Sequence, residues 1–261
     1  MPWFPQLNTG ANVQFPIRRR IARRTVLTDQ PGGSVVKLAD PDAAYAEWEL
    51  AFEGLTSDET GAIEALFAAC EGRRGEFVFL DPLDNLLAWS DELSADAWNK
   101  DAGLWLGGGY LDPLGGTRAA RAGGVGEIHQ TIAAPSTFQY CFSVWARTDA
   151  AAELALIARA GAEERERVVT VNTAWRRFEY PTRLETSGDA ITFGVRLAGG
   201  AEIELFGAQV DAQLGASKYK RTASRAGVYR AARFADDALE ITTHGPNSHS
   251  CRVRVRAAME E

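Results

Sequence analysis

The chain has 261 residues, 46% of them hydrophobic, and a formal net charge of −7, which is long enough for one large or two ordinary domains with a buried core. The acidic balance excludes a nucleic-acid coat, because neutralising phosphates needs a concentrated basic surface. No apolar run approaches the length of a bilayer span, so no membrane insertion is expected.

Met1-Pro2-Trp3-Phe4-Pro5 lacks a basic region followed by an apolar one, so no secretory signal is expected. Cys70, Cys141 and Cys251 have no metal-type spacing and are expected to be reduced, buried thiols. Up to residue 45, short apolar runs alternate with Pro5, Asn8-Thr9-Gly10, Pro16 and Asp29-Gln30-Pro31-Gly32-Gly33, which predicts short strands and turns. Arg18, Arg19, Arg20, Arg23 and Arg24 cluster around Ile17 and Ile21. One reading of the cluster is a solvated strand face; the sharper one is contact with an acidic neighbouring subunit or with DNA.

From Ala44 to Glu53, Trp48, Leu50 and Phe52 alternate with Glu47, Glu49 and Glu53, the pattern of a half-buried strand. Thr56 followed by Glu59 has capping-box spacing and opens an amphipathic helix, with Ile63, Leu66, Phe67 and Cys70 on one face and an end near Gly72. Phe77-Val78-Phe79-Leu80 reads as a strand stopped by Asp81-Pro82. From Asn85 to about Arg221 the texture becomes rich in Trp, Gly and Ala, with regularly spaced strand patterns at Phe142–Arg147, Leu154–Arg159, Arg167–Val171, Arg176–Tyr180, Ala190–Leu197 and Ile203–Ala208. That spacing predicts a β-sandwich. After Tyr229 the first texture returns and closes on a hairpin in which Cys251, Val253 and Val255 alternate with Arg252, Arg254 and Arg256.

Two resemblances rest on these residues. Trp48-Glu49-Leu50 through Leu55-Thr56, the helix, the Gly72 to Gly75 turn and Phe77-Val78-Phe79-Leu80-Asp81-Pro82, together with Arg233-Phe234-Ala235-Asp236-Asp237 through Val253-Arg254-Val255, resemble the distal-tail and minor-tail proteins of siphophages and gene transfer agents. Asn85-Leu86-Leu87 with Trp89 and Trp98, Phe142-Ser143-Val144-Trp145-Ala146-Arg147, Thr173-Ala174-Trp175-Arg176-Arg177-Phe178 and Leu205-Phe206-Gly207-Ala208-Gln209-Val210 with Tyr219 and Thr222 resemble the jelly-roll, carbohydrate-binding-like modules of phage tail proteins.

Together they imply a mainly β protein: a tail-ring domain with one helix (1–84 and 222–261) and an inserted jelly-roll sandwich (85–221). The implied role is structural, at the virion tail tip or baseplate, in a protein made in the host cytoplasm. It would form a ring with itself, commonly a hexamer, between the tail-tube protein and the hub, with the sandwich contacting host cell-surface polysaccharide. The alternatives are a carbohydrate-binding adhesin and, less favoured, a polysaccharide-cleaving enzyme.

Trp105 and Tyr110, in the glycine-rich stretch from Gly103 to Gly109, are the candidate glycan-stacking rings, while Trp89, Trp98, Trp145 and Trp175 read as sandwich core or edge. Arg18, Arg19, Arg20, Arg23 and Arg24 with Arg252, Arg254 and Arg256 are the candidate subunit interface. No catalytic set is expected: His129, His244 and His249 are dispersed, no G-x-S-x-G occurs, and an acidic surface explains Asp91, Glu92 and Asp96 as well as a glycosidase pair does. No metal motif is present; the jelly-roll resemblance alone brings in a structural Ca²⁺, with oxygens from Glu204 and Asp211. No other cofactor is expected.

Overall fold

The computed structural model describes residues 1–259, apart from the side chains of residues 41 and 42. The protein is mainly β, with two antiparallel sheets and, among the described residues, one α-helix. In chain order the elements are β1 (Arg18–Asp29), β2 (Val35–Leu55), α1 (Ser57–Ala69), β3 (Phe77–Leu80), β4 (Asn99–Lys100) and β5 (Leu104–Tyr110). There follow β6 (Ala119–Ile132), β7 (Tyr140–Thr148), β8 (Ala152–Ala160), β9 (Glu163–Val171) and β10 (Arg176–Thr182). The last are β11 (Ile191–Ala198), β12 (Ile203–Asp211), β13 (Val228–Phe234), β14 (Ile241–Gly245) and β15 (Ser248–Ala258). Among the described residues no helix is long and apolar enough to cross a membrane.

The chain divides into two compact units, one of residues 1–8, 12–79 and 229–261 and the other of residues 9–11 and 80–228. In the first, a sheet runs β1-β2-β15-β13-β3, with β14 on β15. Alternation along β2 and β15 buries Ala46, Trp48, Leu50 and Phe52 opposite Ala257, Val255, Val253 and Cys251. Trp48 packs on Phe79 and Tyr229, with ring centroids 5.0 and 4.8 Å apart. The capping box forms: Thr56 N donates to Glu59 at 2.8 Å and Glu59 N donates to the Thr56 hydroxyl at 3.3 Å. Ile63 and Leu66 are buried, and Phe67 meets Phe234 at 5.1 Å.

The N-terminal region differs from the short strands expected. It forms one long hairpin of 12 and 21 residues, in which β2 runs straight through Asp40-Pro41. The reason is the register: Ala22 pairs with Tyr45 but Arg24 with Asp40, so residues 41–44 bulge out opposite one residue. A bulge is where a strand tolerates a proline, which has no N–H to donate.

The second unit holds nine strands in the order β10-β7-β12-β6-β11-β8-β9, with β4 and β5 both on β6. Strand β6 serves two partner sets: its first half pairs with β5 and β12, its second with β4 and β11. Gly124 and Gly126, with φ of 99° and 144°, lie where the partners change, and switching of this kind makes the corner of a sandwich. Phe142, Val144, Leu205, Ile128, Phe193 and Val195 are all buried in this unit. The three cysteines are free and buried, and burial first, helped by nearby carboxylates, pushes the Cys141 thiol up to about 12.

Asn85 ties the ends of this unit together. It is fully buried, its Nδ2 donates to Ala208 O at 2.9 Å, and its Oδ1 accepts from Leu87 N and Val210 N at 3.0 Å each. Gly227 N donates to Asn85 O and Asp81 N donates to Gly227 O, both at 2.7 Å. The two ends of segment 80–228 are therefore adjacent. Asn85→Ala leaves buried backbone groups without partners and is expected to lower the unfolding free energy by roughly 3 kcal/mol, read from urea melts. Glu59 gives a pH test. Burial alone would raise its carboxyl, but hydrogen bonds from Thr56 and Asn8 outweigh it and hold the group below the usual range. Its stabilisation is present above the unfolded-state value of about 4.3 and is lost as pH falls through the folded-state value; Glu59→Gln is expected to flatten that part of the stability profile.

Candidate functional site

The richest constellation lies on one face of β5, β6, β12, β7 and β10. Alternation sends Ala120, Ala122, Leu205, Val144 and Ala146 into the core, so their neighbours Arg121, Gly123, Glu204, Trp145 and Arg147 share the opposite face. Register puts four of these strands in one row, with Gly107 opposite Arg121, Arg121 opposite Glu204, and Glu204 opposite Arg147. Glu204 is only 4% exposed. Its Oε1 accepts from Arg121 Nε at 3.2 Å and its Oε2 from Arg147 Nε at 2.6 Å. Burial pushes the Glu204 carboxyl up, but the two guanidiniums outweigh it and hold it below the usual range.

Each arginine also covers a ring. The Arg121 guanidinium lies 4.5 Å from the Tyr110 centroid and that of Arg147 lies 5.0 Å from Trp175. Such stacking uses the flat face of guanidinium and leaves its edge N–H groups to carboxylates, and Arg121 Nη1 also donates to Glu202 at 3.3 Å. The glycines then form a floor. A Cβ on Gly123 would come within 2.6 Å of Trp105 Nε1, so the indole lies against the bare backbone there, 45% exposed. Gly107 sits between the two candidate rings, its Cβ position 3.8 Å from Trp105 and 3.7 Å from Tyr110. Tyr110 and Trp175 are half-buried under these arginines, so Trp105 is the open ring of the face, and a flat exposed ring beside anchored donors can take the C–H face of a sugar and its hydroxyls together.

Beside this row is a closed cluster. Trp145 packs on Phe206 and Tyr219 at 5.9 and 5.3 Å, Arg177 covers it at 4.5 Å, and Tyr219 shares a hydrogen bond with Ser90 at 2.8 Å. Trp98 is buried and its Nε1 donates to Trp89 O at 3.0 Å.

The arginines singled out in the sequence lie in the first unit. Arg18, Arg19, Arg20, Arg23 and Arg24 are exposed on β1, with Arg18 3.9 Å from Glu49 and Arg24 3.5 Å from Asp40. On β15, Arg252 lies 3.5 Å from Glu49, Arg254 bonds Asp236 at 2.8 Å, and Arg256 bonds Glu47 at 2.6 Å. The arginine face of the terminal hairpin is thus answered by the glutamate face of β2, because antiparallel register sets Arg254 opposite Glu49 and Arg256 opposite Glu47.

Glu204 and Asp211 are both occupied by donors. Asp211 accepts from Ser217, Gln209 and Lys220 at 2.6, 2.7 and 3.1 Å. No group of three or more His, Cys, Asp or Glu that could hold a metal occurs among the described residues. Ser57 meets a histidine that lies 192 residues away along the chain. His249 Nε2 lies 3.1 Å from Ser57 Oγ and Nδ1 3.1 Å from Thr243 Oγ1. The third member is a hydroxyl, which cannot stabilise an imidazolium as a carboxylate does.

Arg121 and Arg147 were not legible as site residues, and Glu204 entered only as an oxygen donor for calcium, since only the register of three strands brings the three into one row. Glu204→Gln is expected to cost roughly 2 kcal/mol, below the ~3–5 kcal/mol of a fully buried pair because both arginines keep solvent access. The wild-type advantage is present above about pH 4.3 and fades as pH falls through the lowered folded-state value, which thermal melts of the two proteins across pH would show.

No family model matches the chain, and no curated protein matches it. Solved structures do. TmCBM61 in complex with β-1,4-galactotriose is 16% identical with a TM-score of 0.36, over 48% of this chain and 97% of that one. The CBM22-1 xylan-binding domain from Paenibacillus barcinonensis Xyn10C is 13% identical with a TM-score of 0.40, over 53% and 97%. The enzymatically active domain of bacteriophage CBA120 tailspike protein 4 is 13% identical with a TM-score of 0.39, over 51% of this chain and 22% of that one. Likenesses this distant carry no ligand, activity or partner over to this chain.

Proposed function

We propose that the protein binds carbohydrate without cleaving it, through the face that carries Trp105, Tyr110, Arg121, Glu204, Arg147 and Trp175. The observation that carries this reading is the Trp105 indole lying on Gly123, nearly half exposed, beside a row of arginines fixed by one buried carboxylate. A large ring held flat and open does little for the core, while stacking on a sugar uses it fully. The preorganised guanidiniums add directed donors at low entropic cost.

Trp105→Ala is expected to weaken binding to polysaccharide from the target cell surface by roughly tenfold while changing stability by no more than ~0.5 kcal/mol, as for a surface residue. Gly123→Ala, whose methyl would displace the indole, is expected to reproduce the loss. A glycan array with no specific signal for the whole protein would sink the reading.

A second reading is favoured by the far half of the β1–β2 hairpin. Val26 and Leu38 are paired across it and exposed, as are Leu27, Val35 and Val36. With Val26, Leu38 and Val36 on one face and Leu27 and Val35 on the other, this two-stranded ribbon has apolar groups on both sides. Such a ribbon is marginal alone in water, which supports a role in a self-assembled ring of the tail-tip kind, joined to tube and hub proteins at a virion tail. Replacing Val26, Leu27 and Leu38 with serine is expected to abolish self-association measured by sedimentation velocity; a wild-type chain that stays monomeric at all concentrations would overturn it.

A further inference from the structure

Two acidic residues stand beside the open indole of the stacking face. Trp105 pairs with Gly123, and the neighbouring strand β12 begins at Ile203, which pairs with both Ala122 and Thr148. Continuing that register by one residue sets Glu202 next to Gly123 on one side and next to Asp149 on the other. Ile203 and Thr148 are buried, so alternation turns Glu202 and Asp149 to the outer face, where the indole lies. Thr148 Oγ1 donates to Glu202 O at 2.8 Å and holds the two turns together.

Both acids reach one guanidinium. Arg121 Nη1 donates to Glu202 at 3.3 Å, Nη2 lies 3.9 Å from Asp149, and Nε donates to Glu204. Arg147 also donates to Glu204, so two guanidiniums face three carboxylates. The next cation, Arg177 beside Trp145, turns its terminal nitrogens to Ser217 O and Ser143 Oγ and has Asp211 and Glu179 near it. Among the described residues of this face no positive charge is left over to attract an anion. Glu202 and Asp149, 53% and 90% exposed, meet whatever stacks on Trp105.

We infer that Glu202 and Asp149 make this face selective for uncharged polysaccharide, an inference that rests on the reading of the face as a carbohydrate site. An ionised carboxylate only accepts hydrogen bonds. A sugar hydroxyl donates to it; the carboxylate of a uronic acid cannot, and like charges set against each other at a binding surface suppress the wrong partner. A neutral chain stacks on Trp105, donates to the acidic rim and accepts from the terminal nitrogens of Arg147. An acidic chain in the same place meets two like charges and gains no donor that is not already shared with a carboxylate of the protein.

The test is binding of the full chain to a polysaccharide array at low and high salt. Each uncharged polymer on it, galactan, glucan and mannan among them, is printed beside its form oxidised at the primary hydroxyl to the uronate. At least one uncharged polymer is expected to bind, and its oxidised partner roughly tenfold more weakly at low salt, a gap that narrows at high salt because it is Coulombic. Glu202→Gln combined with Asp149→Asn is expected to close most of that gap and to leave binding of the uncharged polymer within about threefold. Equal or tighter binding of the oxidised polymer by the wild type, or a gap as wide in the double variant, would overturn the selectivity and leave the carbohydrate reading in place. If the double variant fails to fold, the wild-type chain decides alone: a gap that high salt does not narrow overturns the role of the two acids. Binding to no polymer in either form overturns the carbohydrate reading, and this inference with it.

Discussion

The carboxylate of Glu204 is the interaction on which the proposed binding face depends. A charge this deeply buried is costly unless it is paired, and here the two partners come from strands on either side, Arg121 on β6 and Arg147 on β7. Meeting that requirement fixes both guanidiniums, and through them the orientation of Tyr110 and Trp175. The same pattern recurs in the other half of the sandwich, where Glu127 accepts from Arg159 and Arg196, each at 2.6 Å. Buried glutamates between arginines give both outer faces a fixed charge pattern where loose surface side chains would otherwise sample many rotamers.

A second constraint is the absence of side chains where backbone and rings come close. Gly124 could not carry a Cβ, which would fall 2.1 Å from Gly103 O, and at Gly123 the methyl position is taken by the Trp105 indole. These glycines weaken local strand propensity, yet the segment from Ala119 to Ile132 is a 14-residue strand serving two partner sets. Packing and pairing override propensity at this position.

In the first unit charge is handled differently. Glu47 and Glu49 interleave with Arg252, Arg254 and Arg256 across β2 and β15, so each of these arginines lies within reach of a glutamate. Exposed pairs of this kind add little stability each, but they agree with the register, since a slip by one residue would set Arg254 opposite Trp48 or Leu50 and turn the apolar face of the strand outward. The far half of the β1–β2 ribbon is different again, with Val26, Leu27, Val35, Val36 and Leu38 all exposed.

The sequence by itself determined the elements whose signal is local. The capping box at Thr56 and Glu59, the alternation of Trp48, Leu50 and Phe52 against glutamates, and the strands around Phe142–Arg147 and Ile203–Ala208 all follow from side-chain period and backbone capping, and a mainly β fold with one helix follows from them. The exposure of Trp105 was legible too, because glycines on both sides cannot bury it. Only the tertiary structure decided which charges meet. Glu204 lies 83 residues from Arg121 and 57 from Arg147, and Asp91 lies 27 residues from Arg118 and 130 from Arg221. Pairings at that separation depend on strand order and register, which no local pattern encodes. The long β1–β2 hairpin was hidden for a related reason: Asp40-Pro41 punctuates the sequence, and a bulge that exists only in the paired ladder lets the strand continue through it.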